Sequence, residues 1–166
     1  SAAEIDAREQ VEKFVAWLQA EVPAFKDAYL SETAPQIGIR ETRRIRGLYT
    51  LTRDDVLSAR KFPDGIARTH YPIYIHSPTG EGTVIQHPPK GDWYEIPYRC
   101  LVPLKTDGLL VACRAFSSKP SVNQWFNIIP HCIAYGQAAG TAAALAVKAG
   151  IEPRRVDYGE LQAKLR

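Results

Sequence analysis

The sequence contains no methionine, not even at position 1, and opens on Ser1-Ala2. The expectation is a processed chain, a tag remnant or a piece excised from something longer. Cysteine is scarce: Cys100, Cys113 and Cys132 are odd in number, and none stands in a Cys-x-x-Cys pair. That spacing supports neither a disulfide framework nor a zinc site, so buried, reduced thiols are the default expectation, Cys113 included. Charge of one sign is scarce too. The net charge is +3, Glu41 sits among Arg40, Arg43, Arg44 and Arg46, and no interleaving of basic and aromatic residues follows, which argues against a nucleic-acid partner. No long apolar run is present either. The Ala-rich stretch near the C-terminus is broken by Gln137, Thr141 and Lys148, and no signal-peptide core precedes it. A soluble chain with no membrane partner is expected, its compartment open.

Several catalytic signatures are also missing. His70, His76, His87 and His131 show no metal-ligand spacing and no His-Glu-x-x-His, so no metal is expected. Ser117 and Ser118 lack the Gly-x-Ser-x-Gly elbow that exposes a nucleophile. No Gly-x-Gly-x-x-Gly follows a strand and opens a helix, so the chain by itself has no grip for a dinucleotide pyrophosphate.

What remains is ordinary globular material. With 45% hydrophobic and 23% charged residues in 166, the chain is too apolar to be disordered and long enough for one domain with a core. Val11, Phe14, Val15, Leu18 and Val22 recur at three- and four-residue steps and predict an amphipathic helix from Ile5, closed by Pro23. Ile37 and Ile39 alternate with Gly38 and Arg40, predicting a strand over "QIGIRETRRI" that Gly47 breaks. Thr52 and Asp55 form the frame of a capping box for a short helix ending before Pro63. "YPIYIH", "TVIQH" and "WYEIPYRCLVP" read as strands separated by Pro/Gly turns, their prolines placing them at edges or ends. "LLVAC", from Leu109, is a short apolar run of the kind buried on both faces of a sheet. Pro130 then opens a long helix that Gly150 stops, and Asp157 with Glu160 caps a terminal amphipathic one. This order points to an α+β or α/β piece.

The long helix carries the sharpest clue. Gly136, Ala139 and Gly140 fall on one face, letting another backbone or a flat ligand approach closely. Its N-terminus presents unpaired N–H groups and a partial positive charge, suited to a phosphate or the electron-rich edge of a cofactor. Tight helix–sheet packing is the alternative reading of the same residues.

"IGIRETRRIRGLYTLTRDDV", "FPDGIA", "YPIYIH", "EIPYRCLVP" and "LLVACRAFSS…IIPHCIAYGQAAGTAAALA" follow one another in an order and at a spacing that resemble the C-terminal half of the FAD-dependent oxidoreductases, relatives in fold of the glutathione reductase and fumarate reductase flavoproteins. The resemblance runs from Pro35 to Gly150. It implies an α+β (α/β-derived) fold: mixed or antiparallel strands of a substrate region, then the last strand and helix of a discontinuous FAD-binding domain. The implied organisation is residues 1–34 as helix and connector, 35–108 as a substrate-side β-rich region and 109–166 as the returning part of the FAD domain, all in one compact unit.

On this resemblance Cys113, Arg114 and Ser117 of the hinge, with Asn127, Ile128 and Ile129 at the helix entry, would neighbour the flavin, the last two through backbone. Arg40, His76 and Tyr98 would orient a small-molecule substrate or move a proton. FAD would bind only when an N-terminal half of the same protein or a split partner completes the site, and an apolar patch left bare could drive self-association. Three positions differ from the family pattern: Cys113 stands in place of a glycine, Asn127 in place of an arginine, and Tyr74-Ile75-His76 in place of Asp-x-His. Two other readings stay open, a catalytically silent interaction module that keeps the family's packing and a stand-alone anion-binding domain.

Overall fold

In the computed structural model, residues 1–39, 41–76, 82–126 and 128–166 are described, without the side chains of residues 76, 124 and 125. The chain divides into two compact units, Ser1–Ile39 and Arg40–Arg166. The first is built on α1 (Ala2–Glu21), whose N-cap Ser1 accepts from the Glu4 N–H and whose continuation is stopped at Val22 and Pro23. Arg8 reaches back to the Thr33 hydroxyl and to the carbonyls of Ala34 and Pro35, and the Ile37 N–H donates to Glu4 Oε1 at 3.0 Å. No residue of α1 is buried, and its apolar stripe leaves Phe14 and Trp17, stacked at 5.8 Å, exposed.

The second unit is α+β. It contains α2 (Arg53–Leu57), β1 (Gly65–Thr69), β2 (Ile73–His76), β3 (Thr83–Gln86), β4 (Tyr94–Pro97), α3 (Pro120–Phe126), α4 (Ile129–Ala149) and α5 (Tyr158–Leu165). The strands pair antiparallel, β1 with β4 and β2 with β3, the first pair carrying a bulge between Gly65 and Ala67. On β4, Tyr94 and Ile96 turn inward and are buried while Glu95 turns outward, accepting the Phe62 N–H and pairing with Arg68. The α4 helix lies over β1 and α5, and α3 lies over β2. One core, including Leu51, Val56, Ile96, Phe116, Tyr135 and Leu161, joins residues from both sides of Leu109.

Two expected strands are absent. Residues 36–39 and 41–46 form no strand, since among the described residues no neighbouring strand offers a ladder: Glu4 takes the Ile37 N–H and a single carbonyl, that of Ala115, takes the Ile45 N–H. "LLVAC" is likewise coil, touching Leu101 through the Val111 N–H, with Leu109 exposed. A strand buried on both faces needs neighbours on both edges, and this segment has none among the described residues. Conversely, β1 and α3 escape the sequence reading. The apolar content of β1 is masked by Arg68, and α3 starts at Pro120 within what reads as a polar hinge, although a proline at the first helical position is a start signal.

A laced strip does the work expected of those strands. Gly47 bridges Pro103, the Leu48 and Tyr49 N–H groups donate to the carbonyls of Val102 and Arg99, and Leu51 exchanges backbone bonds with Ser117 and Lys119. A Cβ at Gly47 would stand 2.7 Å from Ser117 Cβ and 2.9 Å from the Arg99 carbonyl oxygen. Arg99 in turn donates from Nε and Nη2 to the buried Asp64 carboxylate at 2.9 and 3.0 Å, and its N–H reaches the same carboxylate at 3.0 Å. Beside this strip Thr52 and Asp55 make the expected capping box, and Asp55 also accepts from Tyr49 and Arg60. Burial pushes the Asp55 carboxyl up, but its bonds from Thr52, Tyr49 and Arg60 outweigh that and hold it below the ordinary carboxylate value.

Arg99→Met therefore leaves a buried carboxylate with no cation beside it. Urea unfolding is expected to register a loss of about 3 kcal/mol, whereas Arg68→Met, where the arginine is exposed and Glu95 keeps the Phe62 N–H, changes stability by less than about 1 kcal/mol. Equal effects at the two positions would show that Asp64–Arg99 is no more than a surface pair.

Candidate functional site

The α4 helix is apolar on two opposite sides for different reasons. His131, Tyr135, Ala138, Ala139, Ala142 and Ala146 form its buried stripe, and the small alanines bring the helix close to the elements beneath. On the other side Ile129 is 76% exposed, Ile133 65% and Val147 83%, with Gly136 and Gly140 between them. A Cβ at either glycine would meet nothing within 4 Å. The expected face of Gly136, Ala139 and Gly140 is thus corrected in one member: Ala139 turns inward.

Ile128, the N-cap, supplies no side-chain bond, and Pro130 occupies the first turn. The leading N–H groups of α4 therefore carry the partial positive charge of an uncapped helix end. A tight turn packs beside this end. The Phe116 N–H donates to the Cys113 carbonyl at 3.0 Å, and the Phe116 ring lies 5.0 Å from that of Tyr135. Cys132 is half-buried in the first turn of α4; burial raises its pKa most, Cys113 raises it further, and Arg114 opposes both.

Beneath, His131 Nε2 lies 3.0 Å from the Thr69 hydroxyl, its ring flanked by those of Tyr71, Phe126 and Tyr135. Burial lowers its pKa. Among the described residues, His131 Nδ1 and the buried Tyr135 hydroxyl have no hydrogen-bond partner. Elsewhere in the unit a cavity of about 590 Å³ is lined by His70, His87, Pro88 and Trp93, with Lys61 and Arg68 over the Trp93 ring.

Of the flavin-side residues the sequence put forward, Cys113 and Arg114 stand in the turn whose Phe116 packs on Tyr135 of α4, and Ile128 and Ile129 are the N-cap and first residue of that helix. Cys113 is exposed, not buried as the default for cysteine suggested, because no sheet covers its segment. Ser117 belongs to the same hinge but is fully buried, its hydroxyl 2.9 Å from that of Thr50. Asn127 lies outside the described residues.

On the substrate side Arg40 also lies outside them, and His76 is placed by backbone alone, opposite Thr83 in β2. Tyr98 is fully buried and donates to the Pro153 carbonyl at 2.9 Å; burial raises its pKa further from neutrality. Sequence reasoning missed Thr69 as the partner of His131, because no local signal joins residues so far apart along the chain.

A family model described as FAD dependent oxidoreductase matches residues 1–165. No curated protein and no solved structure matches the chain.

The buried His131 generates a pH test. Its folded pKa lies below the unfolded value of about 6.5, so the unfolded chain binds the extra proton, and stability falls as pH drops below about 6.5 until the folded pKa is passed. Urea midpoints are expected to fall between pH 7.5 and pH 5, about the span of that titration, and to fall less in His131→Gln. Parallel pH profiles for the two proteins would show that His131 does not titrate differently on folding.

Proposed function

Because the chain belongs to the FAD-dependent oxidoreductase family, we propose that it supplies the substrate side and the flavin-ring side of an FAD site, completed by a dinucleotide-binding half carrying the missing Gly-x-Gly-x-x-Gly. The observation that carries this reading is the open face of α4: Ile129, Ile133 and Val147 exposed around two glycines whose Cβ positions are empty. A patch of this kind on a folded unit is suited to burial against another surface. The uncapped helix end adjoins it, and the turn from Cys113 packs on the same helix through Phe116 and Tyr135; the potential of that helix end fits the ring of a flavin, which is planar and gains negative charge on reduction.

A bound FAD would supply the hydride chemistry with the substrate. The part of this chain is to orient and to stabilise. The α4 N–H groups would place positive potential toward a reduced ring, Ile128 and Ile129 would contribute backbone, and Cys113, Arg114 and Asn127 would neighbour the ring. Substrate orientation falls to Arg40 and His76, for a small organic molecule. Tyr98, with its hydroxyl committed to Pro153, holds the Pro153–Arg155 turn and is better suited to positioning than to proton transfer.

The purified chain is expected to be colourless, and co-expression with the Gly-x-Gly-x-x-Gly half to yield a yellow complex with flavin absorbance. Gly140→Glu should abolish that complex while leaving the melting of the isolated chain within about 1 kcal/mol, since the site is open and glutamate favours helix over glycine. A folded complex that takes up no flavin would sink the oxidoreductase reading and favour a silent interaction module. Retention of the yellow complex by Gly140→Glu would move the docking surface away from α4.

A further inference from the structure

We propose that the cavity lined by His70, His87, Lys90 and Trp93 is a binding site for a small carboxylate with a flat, apolar body. The cavity holds about 590 Å³, within the range of about 300–1,000 Å³ common to small-molecule sites. Two separate segments build it: His70 stands between β1 and β2, and residues 87–93 run between β3 and β4. His70 precedes Ile73, and His87 follows Gln86, the residue paired with Ile73. His76 pairs with Thr83 at the other end of the same strands, about 10 Å away along β2. The cavity and His76 thus occupy opposite ends of one strand pair, and the site calls on none of the residues given to the flavin-ring side.

The wall that carries Lys90 and Trp93 is fixed by bonds within the chain. Pro88 is buried beneath it. The Asp92 N–H donates to the Pro89 carbonyl at 3.1 Å and Gly91 has φ +80°, as the third position of a type II turn requires. Lys90 takes the second position of that turn and is exposed. Lys61 ties the turn down: its Nζ donates to the Ala59 carbonyl at 3.0 Å, to the Asp92 carboxylate at 2.7 Å and to the Trp93 carbonyl. The same ammonium lies 4.4 Å from the centroid of the Trp93 ring and the Arg68 guanidinium 5.6 Å from it, so cation–π attraction holds the indole in place as a flat surface.

A wall fixed in this way has little order left to gain on binding, and its chemistry selects the ligand. Pro88, Pro89 and Trp93 offer apolar surface to a flat body. Asp92 spends its charge on Lys61, and Glu95 lies 3.3 Å from the Arg68 guanidinium. Lys90 is left as the lining cation without a counter-ion: among the described residues, no hydrogen bond or ion pair engages the side chains of Lys90, His70 or His87. One uncompensated ammonium matches one carboxylate, and the imidazole N–H groups add further donors for its oxygens. A metal ion does not fit this set, because among the described residues no three His, Cys, Asp or Glu stand close enough to share one.

The test titrates the full, isotope-labelled chain with cinnamate and follows the indole N–H signals of its three tryptophans by NMR, Trp93→Phe identifying that of Trp93. Cinnamate is expected to shift the Trp93 signal to saturation. Acetate, the head alone, and cinnamyl alcohol, the body without the charge, should each bind at least about tenfold more weakly. Lys90→Gln should weaken cinnamate about tenfold and leave cinnamyl alcohol unchanged, and Lys90→Arg should keep the wild-type preference, circular dichroism confirming that both variants are folded. No saturable shift at Trp93, equal binding of the alcohol or of acetate, or unchanged cinnamate binding in Lys90→Gln would each overturn the proposal. No readout involves flavin or the dinucleotide-binding half, so failure here and failure of the proposed function remain separable.

Discussion

Arg99 is the residue on which the architecture of the larger unit depends. Its side chain and N–H converge on the buried carboxylate of Asp64, while its carbonyl accepts the N–H of Tyr49 in the neighbouring strip. One residue therefore fixes the turn before β1, the end of β4 and the Gly47–Leu51 segment in a single register. The absence of a side chain at Gly47 is the steric counterpart, because the backbone there passes too close to Arg99 and Ser117 for a Cβ. The core beneath is not organised by a large sheet. Two short antiparallel pairs and a laced coil satisfy the backbone, and Phe116, Phe126, Tyr94 and Tyr135 fill the space between.

This arrangement gives α4 its two-sided character. Inward alanines let the helix settle closely, with His131 and Tyr135 at its first two turns burying polar atoms that find few partners. Such groups carry a desolvation cost that the surrounding aromatic packing must offset. Outward, the helix presents isoleucine, glycine and valine where a solvated helix would place charge. A surface that is costly to leave in water and a helix end without a cap lie next to each other. The flavin-side reading draws on that junction through potential and surface.

Much of the local structure was legible because it follows from short-range rules. Ser1, Thr52 and Asp157 cap as their side chains dictate, Pro23 and Gly150 stop helices, and Gly150 does so in the left-handed conformation that glycine adopts without strain. The ordered blocks that resemble the flavoprotein family were likewise readable as sequence, and Asp64 of one block and Arg99 of another prove to be ion-paired. "QIGIRETRRI" and "LLVAC" were misread because alternation and apolarity license a strand without supplying the neighbour that makes one. Cys113 was misjudged for the same reason: its burial hung on a sheet that does not form around it.

The amino-acid sequence by itself determined the caps of α2 and α5, the stops of α1 and α4, the opening of α4 at Pro130, and to which family the ordered motifs belong, since these depend on side-chain chemistry within a few residues or on the linear order of motifs. Only the tertiary structure decided that Gly136 and Gly140 look outward while Ala139 looks inward, and that Ser117 and Tyr98 spend their hydroxyls on Thr50 and Pro153. Each of these depends on which distant segments come together. That choice is made by the collective packing of the core and by the Asp64–Arg99 pair, which no local pattern encodes.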